Sequence, residues 1–210
     1  MQRIHDITLL LNNKTLRYPG DDGINIIPVS SFDDSNLFAS KVLLNCHLGT
    51  HVDSPFHFRK DGRSLDKYPL KNFYGEALVI DQSKKKVIGV EDVREIVMPA
   101  EHHILFKTDN SKLLHLDKFS ENYTHLTVEA AEFICSSNPL SFGFDYYSVD
   151  NFNDSTLSVH HVFARHQIPV YVCLNLLEIK PKKYIFSGLP LKIERIEAYP
   201  VRAVLIEQSL

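Results

Sequence analysis

The chain has 210 residues, 44% hydrophobic and 23% charged, with 13 Phe, 9 Tyr and no Trp. That composition excludes disorder and suits one large globular domain over residues 1–210, with a continuous apolar core. A formal net charge of -3 gives no general pull toward nucleic acid, and the run Lys84-Lys85-Lys86 is too short for a phosphate-binding stripe and reads as a solvated turn.

In chain order, residues 1–11 carry Gln2, Arg3, His5 and Asp6 ahead of a short apolar stretch, without the apolar length or small-residue cleavage site of a signal peptide. No segment approaches the roughly 20 apolar residues of a membrane span, so a cytoplasmic protein is expected. Apolar, β-branched and aromatic runs of strand length follow at Ile7–Leu11, Val42–Cys46, Ala77–Ile80, Ile104–Phe106, Phe142–Phe144, Val170–Leu174, Tyr184–Phe186 and Val201–Ile206. Helices are expected over Val90–Val97, over Thr127–Ser136 with Thr127 as N-cap, and around His160–Arg165. The pattern is mixed α/β with more strand than helix. Turns punctuate it at Tyr18-Pro19-Gly20-Asp21-Asp22-Gly23, Lys60-Asp61-Gly62 and Ser187-Gly188-Leu189-Pro190. Three widely spaced cysteines, Cys46, Cys135 and Cys173, form no disulfide framework or zinc ribbon. They are expected as reduced thiols, with Cys46 a small buried hydrophobe that points away from its neighbour His47.

Of the 11 histidines, spacing singles out a few. His47, His51, Asp53 and His57 fall within His47-Leu-Gly-Thr-His-Val-Asp-Ser-Pro-Phe-His57. Gly49 and Pro55 disfavour a long helix there, which places the cluster on a strand end and the loop after it. In extended backbone His51 and Asp53 project to one side, and a turn at Gly49-Thr50 can fold His47 back toward them. Two imidazoles and a carboxylate on one side make a facial set for zinc or manganese that leaves positions open for water and substrate. The second oxygen of Asp53 could bridge two ions. His160 or His161 is a further candidate, and on a helix only one of the two can face a shared site. His5, His102, His103, His115, His125 and His166 show no such spacing and default to surface or satisfied core roles.

The His47–His57 string resembles the signature of the metal-dependent cyclase-like hydrolases, the family of bacterial kynurenine formamidase and isatin hydrolase, at every fixed position. Asp6-Ile7-Thr8, Tyr18-Pro19-Gly20-Asp21, Gly143-Phe144-Asp145, Ser148-Val149-Asp150, Leu189-Pro190-Leu191 and Pro200-Val201-Arg202-Ala203-Val204 resemble further family segments. The resemblance implies a compact swivelling β/β/α fold with a mixed sheet and few helices, forming homo-oligomers such as dimers or tetramers. It also implies His47, His51 and Asp53 as ligands of a first metal, Asp53 as the bridge to any second, His160 as the distal ligand, His57 as catalytic acid or base, and Tyr18 as a substrate-pocket residue. One departure stands out. The stretch that supplies the family's second-metal Glu reads Pro169-Val170-Tyr171-Val172-Cys173-Leu174-Asn175 here, without a carboxylate.

The expected activity is therefore hydrolysis of a small amide, formamide or lactam by metal-activated water, with one zinc or manganese ion per chain and His57 moving the proton. The expected partner is a small-molecule substrate, with neither nucleic acid nor membrane. Two alternatives stay open. One is another reaction of the same family, such as lactone hydrolysis or dehydration; the other is a catalytically silent relative that binds a small molecule.

Overall fold

A computed structural model describes residues 2–33 and 35–208. Its strands are β1 (Ile4–Asp6), β2 (Ile24–Ser30), β3 (Ala39–Leu44), β4 (His51–Asp53), β5 (Tyr74–Asp81), β6 (Val87–Ile88), β7 (His103–Lys107), β8 (His125–Leu126), β9 (Ser141–Phe144), β10 (Val170–Val172), β11 (Lys183–Ser187), β12 (Ala198–Pro200) and β13 (Val204–Ile206). Its α-helices are α1 (Val90–Val93), α2 (Val128–Ser136) and α3 (Ser158–Arg165).

Nine strands form one mixed sheet in the order β1-β13-β11-β5-β7-β9-β10-β4-β12. The central β5, β7, β9 and β10 run parallel, and each successive pair is joined by a crossover carrying α1, α2 or α3 in turn. Parallel strands buried on both faces read as continuous apolar runs, which is why His103–Lys107 and Ser141–Phe144 are buried almost throughout. The sheet is extended antiparallel on one side by β11, β13 and β1 and on the other by β4 and β12.

The register sorts the core into two faces. Direct partners share a face, so Leu78, Ile104, Phe142, Val170 and Asp53 form one row across the sheet. The helices cover this face: Phe163 of α3 stacks on Phe142 at 4.8 Å, and Ala130, Ala131, Ile134, Val159 and Val162 complete the cluster. Truncating Phe163 here would cost about 3–5 kcal/mol. The opposite face gathers Leu105, Tyr171, Val52, Phe186 and Leu205 beneath Leu65, Tyr68 and Phe73.

Helix starts are satisfied by different devices. Thr127 accepts a hydrogen bond from the Ala130 amide, as a threonine N-cap should. At α3 the preceding Leu157 is left-handed and its side chain caps nothing; the carboxylate of Asp150 instead accepts from the Val159 amide at 2.5 Å and the His160 amide at 3.3 Å. No helix among the described residues is long and apolar enough to cross a membrane.

Several boundaries differ from the sequence reading. The expected strand Ile7–Leu11 is replaced by Ile4–Asp6, because Leu9 donates to the Thr50 hydroxyl at 2.9 Å rather than to a ladder carbonyl. The expected Val170–Leu174 stops at Val172, since Cys173 adopts φ 55°. Val201–Ile206 divides, with Ala198–Pro200 pairing β4 and Val204–Ile206 pairing β1 and β11. Helix Val90–Val97 is one turn, Val90–Val93.

Candidate metal centre

The site grows out of the segment between β3 and the short helical turn Pro55–His57. Gly49 sits at φ +63°, a left-handed conformation that costs an L-residue with a side chain. It reverses the chain between His47 and β4 and so brings His47 over the strand. Extended β4 then puts His51 and Asp53 on the same face, separated by Val52, which points into the opposite cluster.

His47, His51 and Asp53 each offer a ligand atom, and the three lie within 4.8 Å of one another. His47 Nδ1 is 2.9 Å and His51 Nε2 3.3 Å from Asp53 Oδ1. The chemistry of this triangle fits a divalent cation. His51 Nδ1 donates to the Gly49 carbonyl at 2.7 Å, so in the neutral ring the Nε2 lone pair faces Asp53, the orientation that metal-binding imidazoles adopt. Asp53 Oδ1 is buried without an aligned hydrogen-bond donor. A buried lone pair in that state is costly, and a cation between the three groups removes the cost. Burial opposes charge on Asp53, but His51 and His47 outweigh it and hold the carboxyl well below its ordinary range. Burial likewise opposes protonation of His47, and the carboxylates of Asp53, Glu197 and Asp21 together raise it.

A cavity opens on this triangle, lined among others by Tyr18, Asp21, His57, Phe58, Tyr147 and His160. The His57 ring lies 4.3 Å from that of His47. Burial pushes its pKa down against the pull of the Asp53 carboxylate, and its ring stands at the mouth of the cavity. Of the adjacent pair, His160 is buried in the wall and His161 is exposed. His160 Nδ1 donates to the fully buried Asp150 carboxylate, and Phe58 stacks on its ring at 4.7 Å. His160 shares the cavity but is not one of the three residues whose ligand atoms converge. Tyr18 packs edge-on against Phe119 at 5.3 Å, at the cavity's aromatic side.

The model of the putative cyclase family matches residues 5–151. The chain belongs to the cyclase family. It is 28% identical over 201 residues to the kynurenine formamidase of Bacillus cytotoxicus, 95% of each chain being covered. Isatin hydrolase A from Ralstonia solanacearum has the same fold, with a TM-score of 0.83, 25% identity and coverage of 99% of this chain and 92% of that one. A structure described as a potential metal-dependent hydrolase with cyclase activity superposes with a TM-score of 0.87 at 19% identity, all of both chains being covered. The large mixed sheet with few helices is the fold of these cyclase-family structures.

Strand β10 of this cyclase-family chain brings no carboxylate to the triangle. Val172 is the partner of His51, and Val170 the partner of Asp53. Both valines therefore share the metal face, and both are buried in the helix-covered core. A carboxylate could approach the triangle from strand β10 only at these places, and none is there.

Phe58, next to His57 in the chain, lines the site, and Tyr147 lines it and Asp150 contacts it through His160 from elsewhere in the chain, as does Glu197, 3.8 Å from His47 Nε2. No local spacing ties Tyr147, Asp150 or Glu197 to the His47–His57 segment. Cys46 is half-buried rather than the buried hydrophobe expected, and it is not among the converging ligands. All three cysteines are free.

Proposed function

We propose that this hydrolase of the cyclase family opens the C–N bond of a small amide, formamide or lactam, with one zinc or manganese ion held by His47, His51 and Asp53. The observation that carries the reading is the buried Asp53 Oδ1, without an aligned hydrogen-bond donor, beside two imidazole nitrogens that line a cavity with it. When bound, a divalent cation there supplies Lewis acidity toward a carbonyl and lowers the pKa of water.

This chain's own residues do the rest. His57 stands beside the triangle at the mouth and is kept neutral at pH 7 by its downward shift, so its ring nitrogen accepts a proton from the attacking water and returns it to the leaving nitrogen. His160, its Nδ1 held by Asp150, lines the cavity and leaves Nε2 for a substrate N–H or a water. Tyr18, Phe58 and Leu157 supply an apolar wall that suits a flat ring. The valines of β10 support a single ion.

The test is hydrolysis of N-formylkynurenine, isatin and simple formamides, with and without added zinc or manganese. Turnover that chelation abolishes and metal restores is expected, with His57→Ala keeping the metal and losing about 10²–10⁴-fold in kcat. A fully metal-loaded protein inert toward all of these substrates would refute the assignment.

A further inference from the structure

A metal-binding imidazole gives one nitrogen to the ion and is aimed by whatever its other N–H meets. For His51 that acceptor is the Gly49 carbonyl, 2.7 Å from Nδ1. His47 runs the other way round. Its Nδ1 is the atom 2.9 Å from Asp53 Oδ1, so an ion in the triangle takes the Nδ1 lone pair and leaves the proton of the neutral ring on Nε2. That Nε2 lies 3.8 Å from Glu197 Oε1, too long for a hydrogen bond and within the distance of an ion pair.

Glu197 is held at this place by its main chain. The amide and the hydroxyl of Ser54 both donate to its carbonyl at 2.8 Å, and the next residue, Ala198, is the partner of Asp53 in the ladder between β12 and β4. The residue is thereby fixed beside the strand that carries two of the three ligands. Its head is uncommitted: among the described residues no hydrogen bond and no other ion pair engages the carboxylate, and the side chain is half-exposed. A small rotation brings it onto the His47 N–H. Glu197 is not one of the converging ligands and does not line the cavity, so it reaches the ion only through the His47 ring.

We propose that Glu197 is the positioning residue of His47. When the triangle holds its ion, the carboxylate accepts the Nε2–H of His47, fixes the tautomer and angle of the ring, and makes Nδ1 a stronger donor to the ion. The proposal rests on His47, His51 and Asp53 being the ligands. It gives each imidazole beside the triangle whose outward nitrogen is engaged its own brace: a backbone carbonyl for His51, the buried Asp150 carboxylate for His160, and a half-exposed carboxylate for His47.

Zinc affinity of the full chain, measured by competition with a chromophoric chelator, tests this. Glu197→Ala is expected to bind zinc about 10–100-fold more weakly, the cost of losing an outer-shell partner. Glu197→Gln keeps an acceptor oxygen at the same reach and should recover part of the loss. Metal-stripped wild type and Glu197→Ala should melt alike, since Ser54 bonds a backbone carbonyl that alanine retains. In the zinc-bound wild type, NMR of labelled histidines is expected to show His47 bound through Nδ1 with a slowly exchanging Nε2 proton, lost to exchange in Glu197→Ala. Should the alanine variant misfold, Glu197→Gln still reads below wild type in affinity and shows faster Nε2 exchange. Wild-type affinity in these variants overturns the proposal, and so does zinc on His47 Nε2. A loss that is identical in Glu197→Gln and disappears at high salt overturns it equally, being general charge attraction. A wild type that binds no zinc refutes the ligand set and the proposal with it, whereas unchanged affinity in the variants refutes the proposal alone.

Discussion

Replacing Gly49 with alanine probes the local backbone on which the metal triangle depends. At φ +63° an L-residue pays about 1–2 kcal/mol. The added Cβ would also lie 2.5 Å from Leu11 Cδ2. Leu11 is only half-buried and can move aside, at an off-rotamer cost of about 0.5–1.5 kcal/mol. The total, about 1.5–3.5 kcal/mol, lowers the melting temperature of a chain of this size by roughly 3–14 °C. Because the Gly49 carbonyl orients His51, metal affinity should fall by about 10–100-fold as well. Calorimetry of the metal-stripped protein and metal titration read the two effects separately. In a Leu11→Ala background the crowding disappears and only the backbone cost remains, so Gly49→Ala should cost about 1–2 kcal/mol there. A Gly49→Ala protein with wild-type melting and metal affinity would refute the reasoning.

His103 is fully buried, its Nε2 lacks a partner, and burial pushes its pKa from 6.5 to about 4. The unfolded chain therefore binds the extra proton first, so this group's contribution is whole above pH 6.5 and is lost as pH falls toward 4, by about 3 kcal/mol. Burial raises Asp145 to about 6 against the four hydrogen bonds that Thr108 and Ser111 donate to it, and it acts with opposite sign in an overlapping window. The difference in urea-unfolding free energy between wild type and His103→Gln isolates the histidine, and a difference independent of pH from 4 to 7 would contradict this. Asp150→Asn loses charge-assisted bonds to the start of α3 and to His160, which should lower stability by about 1.5–3 kcal/mol and blunt His160; unchanged thermal melting would count against it. Val172→Glu places a carboxylate on the metal face opposite His51. Without metal it should melt lower than wild type, as a buried unpaired acid requires, and with metal it should bind a second ion, whereas one ion per chain would show that the valine is not what limits the site.

The central strands were legible because burial on both faces leaves a continuous apolar run, as in Ile104–Phe106 and Phe142–Phe144. The convergence of His47, His51 and Asp53 was legible because they fall within one short segment and Gly49 advertises the turn that gathers them. The ribbon strand Ile24–Ser30 was not, since Asn25 and Pro28 break any alternation and neither face points to a core. Asp150 and Glu197 were invisible as site residues for another reason: each reaches the site through tertiary packing, Asp150 by capping a helix whose own preceding residue, Leu157, offers no cap. Strand ends failed wherever a side chain or a left-handed residue took over from the ladder, as Thr50 does at Leu9 and Cys173 does after Val172.

The most direct test is elemental analysis of the purified protein beside Asp53→Ala. The account predicts one zinc or manganese ion per chain in the wild type and almost none in the variant. Two ions per wild-type chain, or full occupancy without the Asp53 carboxylate, would contradict it.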